Sequence, residues 1–496
     1  MQRVDDFLAH QVATRPKARA FADATGHSWT YAAFDDAVSE MEAHLIATGL
    51  KPGDRVMILS ENCLAAVAAI FAALRLRAIA VPVNARQSPA EVDKIIAHAK
   101  PAALILTTQI SPDAMAHAER LGAELLKGGF GEVQIGCPFG SNPDADSEDV
   151  AILLYTTGTT GEPKGVMLTH ANVRFGGMTS ATLRGMTQDD VVYGVLPITH
   201  VFGLCSVVVA AVSEGAFVRL EPRFDVAKLY DALRDGVTLF SGVPQMHAVL
   251  MAHVKGKGLA KLGSETLRYV SSGAAPLDPT WKREAEAFYN VAIQNGYGMT
   301  ETTAGISATR NPIGVPDVSV GPALPAVELR IDESLPGGGD GEGEVLTRGP
   351  HVMKGYYRNL EATDEVLDAN GWMRTGDLGK FDDAGFLHIL GRSKELIIHG
   401  GFNVYPPEVE AALNDHPDIV QAAVIGRRIA GDEEVLAFCM VSDTCTLTEG
   451  DLCSFVKDRL AGYKRPKRII LAKDLPTAPT GKILKHRLLN HFADQL

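Results

Sequence analysis

Residues 150–165 read VAILLYTTGTTGEPKG. The opening VAILLY is a short aliphatic run that empties at once into a polar, glycine-bearing loop. That is how a buried strand of a layered α/β sheet reads, and such sheets bind ligands along their carboxyl edge. The loop from Tyr155 to Gly165 carries Thr156, Thr157, Thr159 and Thr160, with Gly158, Gly161, Gly165 and Lys164 among them. Glycines let backbone N–H groups approach anionic oxygens, hydroxyls add donors and the lysine adds charge, so the segment suits a polyphosphate. It is not a Walker loop: only two residues separate Gly158 from Gly161, and Lys164 is followed by glycine where a hydroxyl would be required.

The same strand-to-loop pattern recurs as VVYGVL before Pro197, TLF before Ser241, RYV before Ser271 and VAIQN before Gly296. The chain of 496 residues is 46 % apolar, enough for about three compact units with sizeable cores. A net charge of −13 argues against nucleic acid or an anionic membrane as the main partner. The six cysteines are scattered without a CxxC pair, which fits buried thiols in a reducing compartment. The apolar runs Cys63 to Leu74 and Val201 to Val212 are 12 residues each, too short to span a bilayer. With an acidic N-terminus unlike a signal peptide, the reading is a cytoplasmic protein without a membrane span.

PGGGDGEG, from Pro336 to Gly343, reads as a turn between strands. A second regime begins near Gly391. It comprises strands Val420 to Ile425 and Val435 to Val441, a helix Glu449 to Leu460, a strand Arg468 to Leu471, and a closing helix with Leu484, Leu488 and Phe492 on one stripe. Between Lys457 and Arg487 ten basic residues face two acids, either a solvated surface or a patch for a phosphate-rich ligand.

Further segments follow in order: WTYAAF at Trp29, LPITHVFG at Leu196, SSGAAPL at Ser271, NGYGMTE at Asn295, WMRTGDLG at Trp372, GRSKELIIHGGFNVYPPEVE at Gly391 and PTAPTGKILKHRLL at Pro476 and beyond. Together with the threonine loop they make the chain resemble the adenylate-forming superfamily of acyl-CoA synthetases, nonribosomal adenylation domains and luciferases, and the 4-coumarate-CoA ligases within it. Thr157 stands where that family often has serine. The resemblance implies a large N-terminal α/β domain of layered sheets and helices (residues 1–393) and a small mobile α+β domain (394–496), hinged at Lys394.

It also implies an AMP-forming carboxylic acid-CoA ligase using ATP, magnesium and CoA, a monomer or homodimer acting on small molecules. ATP would lie on Thr156, Thr157, Gly158, Thr159, Thr160, Gly161 and Lys164, with adenine against Ala274, Ala275 and Pro276, stacked on Tyr297 and edged by Asn295 and Gly296. Thr300 would meet the α-phosphate, Glu301 a magnesium ion, and Asp377, with Arg392, the ribose. Lys482 would bridge the acid carboxylate and the α-phosphate. Gly400 and Gly401 would line a pantetheine tunnel, Lys464, Arg465 and Lys467 would cradle the CoA phosphates, and His200 would gate the acyl pocket. That pocket would be formed by Val201, Phe202, Val243, Gln245, Met246, Ser272, Gly273, Gly298, Met299 and Thr303.

A buried unpaired carboxylate is costly, so these pocket residues imply a monocarboxylic acid with a neutral tail. Gly273 is expected to leave depth for a medium acyl chain or an aromatic acid, and the likeness of SSGAAPL and NGYGMTE to 4-coumarate ligases tilts toward aryl or arylpropenoic acids. The alternatives are a stand-alone adenylation domain loading a carrier protein, a binding protein without catalysis, and, remotely, a light-emitting enzyme.

Overall fold

A computed structural model describes residues 2–144, 148–157, 163–273, 277–303, 305–334, 338–400, 402–429, 432–442, 445–477 and 483–496. The large domain is built on two eight-stranded sheets. In one, strands Val191–Gly194, Phe217–Leu220, Leu239–Gly242, Tyr269–Gly273 and Ile293–Tyr297 run parallel to one another. Register pairs Gly242 with Ser272, Ser272 with Asn295 and Gly273 with Gly296, so the loops leaving these strands emerge side by side at one edge. In the other, Arg55–Ser60, Ile79–Asn84 and Ala103–Leu106 run parallel. There Val150–Thr157 joins Ile79–Asn84 and is then met by the antiparallel return strand Pro163–Thr169.

One apolar cluster joins both sheets. At its centre lies the helix Leu64–Arg75, LAAVAAIFAALR, whose first eleven residues are all buried, so it is apolar on every side. The run from Val201 to Val212 is also buried apart from half-buried Phe202, and includes one π-helical stretch, Leu204–Val209. Among the described residues no helix is long and apolar enough to cross a membrane.

An antiparallel sheet of Glu328–Asp332, Gly343–Arg348, Met373–Phe381 and Leu387–Arg392 follows. Between its first two strands Gly339 and Glu342 exchange backbone hydrogen bonds at 2.9 and 3.0 Å, while Pro336 and Gly337 lie outside the described residues. The small α+β domain packs a three-stranded sheet between two clusters, in strict alternation. Val424, Val435, Ala437 and Ile469 face one, Ala423, Leu436, Phe438 and Ile470 the other.

Its strands are longer than the apolar pattern indicates, Ile419–Ile429 and Asp432–Val441. Their outer ends are zipped by Arg427 with Glu434 and Arg428 with Glu433, which hydrophobic alternation does not mark. The helix Glu449–Lys457 stops short of Leu460, and Arg465 satisfies the carbonyls of Lys457 and Leu460 beyond it.

Three buried histidines tie the large domain together in neutral form. His170 accepts the Val4 N–H on Nδ1 at 3.2 Å, His247 meets the Tyr289 hydroxyl at 2.9 Å, and His351 meets the Thr347 hydroxyl at 2.8 Å. Burial lowers the pKa of each to about 4. The unfolded chain takes up these protons near pH 6.5 and the folded chain resists until about 4, so their stabilisation is complete above pH 6.5 and is lost as pH falls. Urea unfolding at stepped pH should show this decline, and His170→Gln should make it shallower.

Candidate active site

The parallel sheet's carboxyl edge gathers expected acyl-pocket residues with Asn295 to Glu301, while Thr156 and Lys164 belong to the other eight-stranded sheet and Asp377 and Arg392 to the antiparallel one. Asn62 pins the loop after Val191–Gly194: its amide donates to the Gly194 and Leu196 carbonyls at 2.9 Å and accepts the Ile198 N–H at 2.9 Å. His200 is exposed beyond it and accepts the Phe202 N–H on Nδ1 at 3.2 Å. The Phe202 ring lies over Gly273, within 3.1 Å of where a β-carbon would stand. The depth expected above Gly273 is therefore filled by a phenyl ring.

Val201 differs from expectation: at 2 % exposure it belongs to the inter-sheet core and does not face a pocket. Ser272 is buried, and among the described residues its hydroxyl has no hydrogen-bond partner. Val243 and Met246 are half-buried, and Gln245 and Gly298 are exposed. Met299 donates its N–H to the Thr302 hydroxyl at 2.9 Å, while the fully buried Thr303 donates its hydroxyl to the His351 carbonyl at 2.7 Å.

Thr156 pairs with Lys164 across the hairpin of Val150–Thr157 and Pro163–Thr169. Gly158, Thr159, Thr160 and Gly161 lie outside the described residues, as do Ala274, Ala275, Pro276, Gly401 and Lys482. The Lys164 ammonium stands 4.9 Å from the centre of the Tyr356 ring. The Tyr356 hydroxyl donates to Glu301 Oε1 at 2.9 Å, and the Met353 N–H donates to the Glu301 carbonyl at 2.9 Å.

Glu301 and Thr300 are buried in the short 3-10 turn Thr300–Thr302. Burial raises the Glu301 pKa, against a backbone hydrogen bond, the Tyr356 hydroxyl and the positive charges of Arg392 and Lys164. Two cations thus act on one buried carboxylate. Among the described residues no three His, Cys, Asp or Glu side chains form a metal cage. A magnesium ion needs none, since it takes one or two carboxylates plus phosphate oxygens.

Asp377 sits directly opposite Arg392 in register, with Arg392 Nε 3.4 Å from its Oδ1. The Tyr297 hydroxyl donates to Oδ2 at 2.5 Å. The Tyr297 ring packs against the clusters of Ile306 with Leu324 and of Val320 with Val345. Burial and the Asp377 charge push its phenol well above the ordinary tyrosine range, so it stays a donor. Asn295 serves the loop behind it, donating from its amide to the Ser319 carbonyl at 3.0 Å and accepting the Gly296 N–H at 3.0 Å.

In the small domain Lys394 is exposed in the turn Ser393–Glu395. Gly400, at φ +60°, turns the hairpin of Ile397–His399 and Phe402–Val404 and donates its N–H to Asp432 at 2.9 Å. Lys464 is held by both Glu408 oxygens at 2.6 and 2.8 Å. With Arg465 on helix-end carbonyls, Lys467 is the exposed cation of the three.

The sequence reading missed two residues. Tyr356 lies in KGYYRN, which has no periodicity to mark it. Lys485 was counted with the basic run, yet its ammonium sits 2.9 Å from Glu395 and 2.8 Å from Glu410.

The Thr156–Lys164 hairpin of one sheet, the buried Glu301 beyond the parallel sheet and the Asp377–Arg392 pair of the antiparallel sheet are the groups an ATP-dependent, AMP-forming ligase would use. The AMP-binding enzyme family profile matches residues 8–357 and the AMP-binding enzyme C-terminal domain matches 408–482, so the chain belongs to that family. A feruloyl-CoA synthase of Amycolatopsis is 34 % identical over 478 residues, covering 94 % of each chain. The long-chain-fatty-acid–CoA ligase FadD13 of Mycobacterium tuberculosis is 30 % identical over 513 residues, covering 99 % of each. ATP-bound MatB from Rhodopseudomonas palustris superposes with a TM-score of 0.84 at 32 % identity, covering 99 % of each chain. The chain is an enzyme of the AMP-forming acyl-CoA ligase class, working through an acyl-AMP intermediate and binding ATP.

Lys485 offers a direct test of the small domain's packing. Burial opposes its charge, but Glu410 and Glu395 outweigh it and hold its pKa above the ordinary lysine value of 10.5. The stabilisation is therefore complete below pH 10.5 and lost as pH rises past the raised value. Lys485→Met should cost about 2 kcal/mol at neutral pH in urea unfolding, less than a fully buried pair because Glu395 keeps some solvent.

Proposed function

We propose that the chain is a carboxylic acid-CoA ligase for an aryl or arylpropenoic monocarboxylic acid. The observation that carries the ligase reading is that buried Glu301 accepts from Tyr356, whose ring lies beneath Lys164, while Arg392 pairs with Asp377 at 3.4 Å. A free carboxylate is a poor acyl donor because its leaving group would be oxide. Attack on the α-phosphorus of ATP turns it into a mixed anhydride, and that step brings two anions together while charge grows on departing pyrophosphate.

The roles divide by chemistry. The Thr156 to Lys164 loop holds the β- and γ-phosphates and Thr300 the α-phosphate. Glu301 suits magnesium: it is a buried carboxylate with one oxygen taken by Tyr356, and the charges of Arg392 and Lys164 oppose the upward push of burial on its pKa. When bound, that ion would neutralise the polyphosphate. Asp377 accepts the ribose hydroxyls, and adenine lies between Tyr297 and Ala274 to Pro276. Lys482 bridges the acid carboxylate and the α-phosphate.

The small domain, residues 394–496, then turns about Lys394 so that Gly400 and Gly401 face the thiol's path, His200 gates the pocket, and the basic surface around Lys467 meets CoA. The named pocket side chains bring no cation that could pair a second carboxylate, which favours a neutral tail. Phe202 over Gly273 offers a flat apolar wall suited to an aromatic ring and shortens the room for a long chain. The similarity to a feruloyl-CoA synthase supports the same choice.

Given an equimolar mixture of arylpropenoic, benzoic and medium-chain acids with ATP, the enzyme should release AMP and pyrophosphate, and mass spectrometry should find an arylpropenoyl-AMP foremost. Free CoA should suffice to form the thioester; a requirement for a pantetheinyl carrier protein would favour the stand-alone adenylation domain instead. Lys482→Ala should slow acyl-AMP formation roughly 100-fold or more while thioester formation from pre-made acyl-AMP largely survives. Lys394→Pro should show the reverse bias, and equal losses in both half-reactions would contradict a hinge.

A further inference from the structure

The segment Met353 to Tyr357 stitches together two parts of the site that are far apart in sequence. Gly355–Tyr356 pairs antiparallel with Met167 and Val166 on the return strand of the phosphate hairpin. On either side, the Lys354 N–H donates to the Met167 carbonyl at 3.0 Å and the Tyr357 N–H to the Gly165 carbonyl at 2.7 Å. The Met353 N–H reaches the Glu301 carbonyl at 2.9 Å, so the same five residues hold the backbone of the glutamate turn.

Gly355, at φ +149°, leaves room for Thr363: a β-carbon there would stand 2.9 Å from its methyl group. The Thr363 hydroxyl accepts the Tyr356 N–H at 2.9 Å, which fixes where the tyrosine side chain leaves the backbone.

From that anchor the Tyr356 side chain makes two contacts of different kinds. Its hydroxyl donates to Glu301 Oε1, and its ring lies beneath the Lys164 ammonium. We propose that Tyr356 is a positioning residue that sets the Glu301 carboxylate and the Lys164 ammonium for a magnesium–nucleotide. The inference rests on the roles proposed above for Glu301 and Lys164.

Its logic is one of selective engagement. A donor on Oε1 fixes the carboxylate rotamer and leaves Oε2 as the acceptor for a hard cation, as groups behind metal ligands commonly do. An aromatic face holds a lysine weakly, through the ring quadrupole, where a carboxylate would hold it strongly and compete with phosphate. Tyr356 is 7 % exposed, so its hydroxyl meets Glu301 away from bulk solvent.

Two variants separate the contacts. Tyr356→Phe keeps the ring and loses the donor; Tyr356→Leu loses both. Calorimetry with a non-hydrolysable ATP analogue gives a readout independent of turnover. Tyr356→Phe should bind the metal-free analogue within twofold of wild type, yet need about tenfold more magnesium to tighten that binding, the scale of one hydrogen bond to a charged group. AMP formation should recover to within twofold at saturating magnesium, with an unchanged unfolding temperature. Tyr356→Leu should in addition weaken the metal-free analogue about threefold to fivefold.

A wild-type magnesium requirement in Tyr356→Phe overturns the proposal. So does a loss that excess magnesium leaves unrestored and a lowered unfolding temperature accompanies, because that is packing alone. If wild type binds the magnesium–analogue and shows these differences but forms no AMP with any acid, the ligase reading falls and the positioning role stands. If magnesium does not tighten wild-type binding, the role given to Glu301 falls and this proposal with it.

Discussion

Parallel pairing is the constraint on which the rest of the molecule depends. Strands that run the same way must each be followed by a return crossing, so the loops after Val191–Gly194, Leu239–Gly242, Tyr269–Gly273 and Ile293–Tyr297 leave from the same edge. Registers of Gly242 with Ser272 and Gly273 with Gly296 bring the Phe202, Val243, Gly273 and Glu301 neighbourhoods together, although more than 90 residues separate the first from the last. The helix Leu64–Arg75 makes this arrangement stable by filling the space between two sheets with small and branched side chains on all its faces.

On that edge the chemistry is a problem of like charges. A carboxylate and a triphosphate repel, and a protein interior weakens solvent screening of that repulsion. The two cations proposed above to meet it are held differently from the rest. Lys164 lies on an aromatic ring, and Arg392 stands 3.4 Å from Asp377, half exposed. Elsewhere the cations are committed: Lys464 to Glu408, Arg465 to helix-end carbonyls, Lys485 to two glutamates. The contrast separates groups that hold the fold from groups left available to a ligand.

The fold was legible in the sequence where burial dominates. Continuous aliphatic runs such as VAILLY and VVYG mark strands covered on both faces, and the polar loops after them mark the edge. Legibility failed where polar or long-range contacts decide. The ion-paired ends of the hairpin Ile419–Ile429 and Asp432–Val441 carry no apolar period. Val201 sits in a motif beside Phe202 yet turns into the core, and the room expected over Gly273 is taken by the Phe202 ring, since neither orientation follows from spacing. Tyr356 owes its place to pairing with Val166, a contact of high sequence separation that local pattern does not encode.

The central claim is that the acid's own oxygen attacks the α-phosphorus. Incubating the enzyme with ATP, CoA and acids doubly labelled with heavy oxygen in the carboxylate traces that bond. Mass spectrometry should find one label in AMP and the other retained in the acyl-CoA. Label in orthophosphate together with ADP would place the attack at the terminal phosphate and contradict the account.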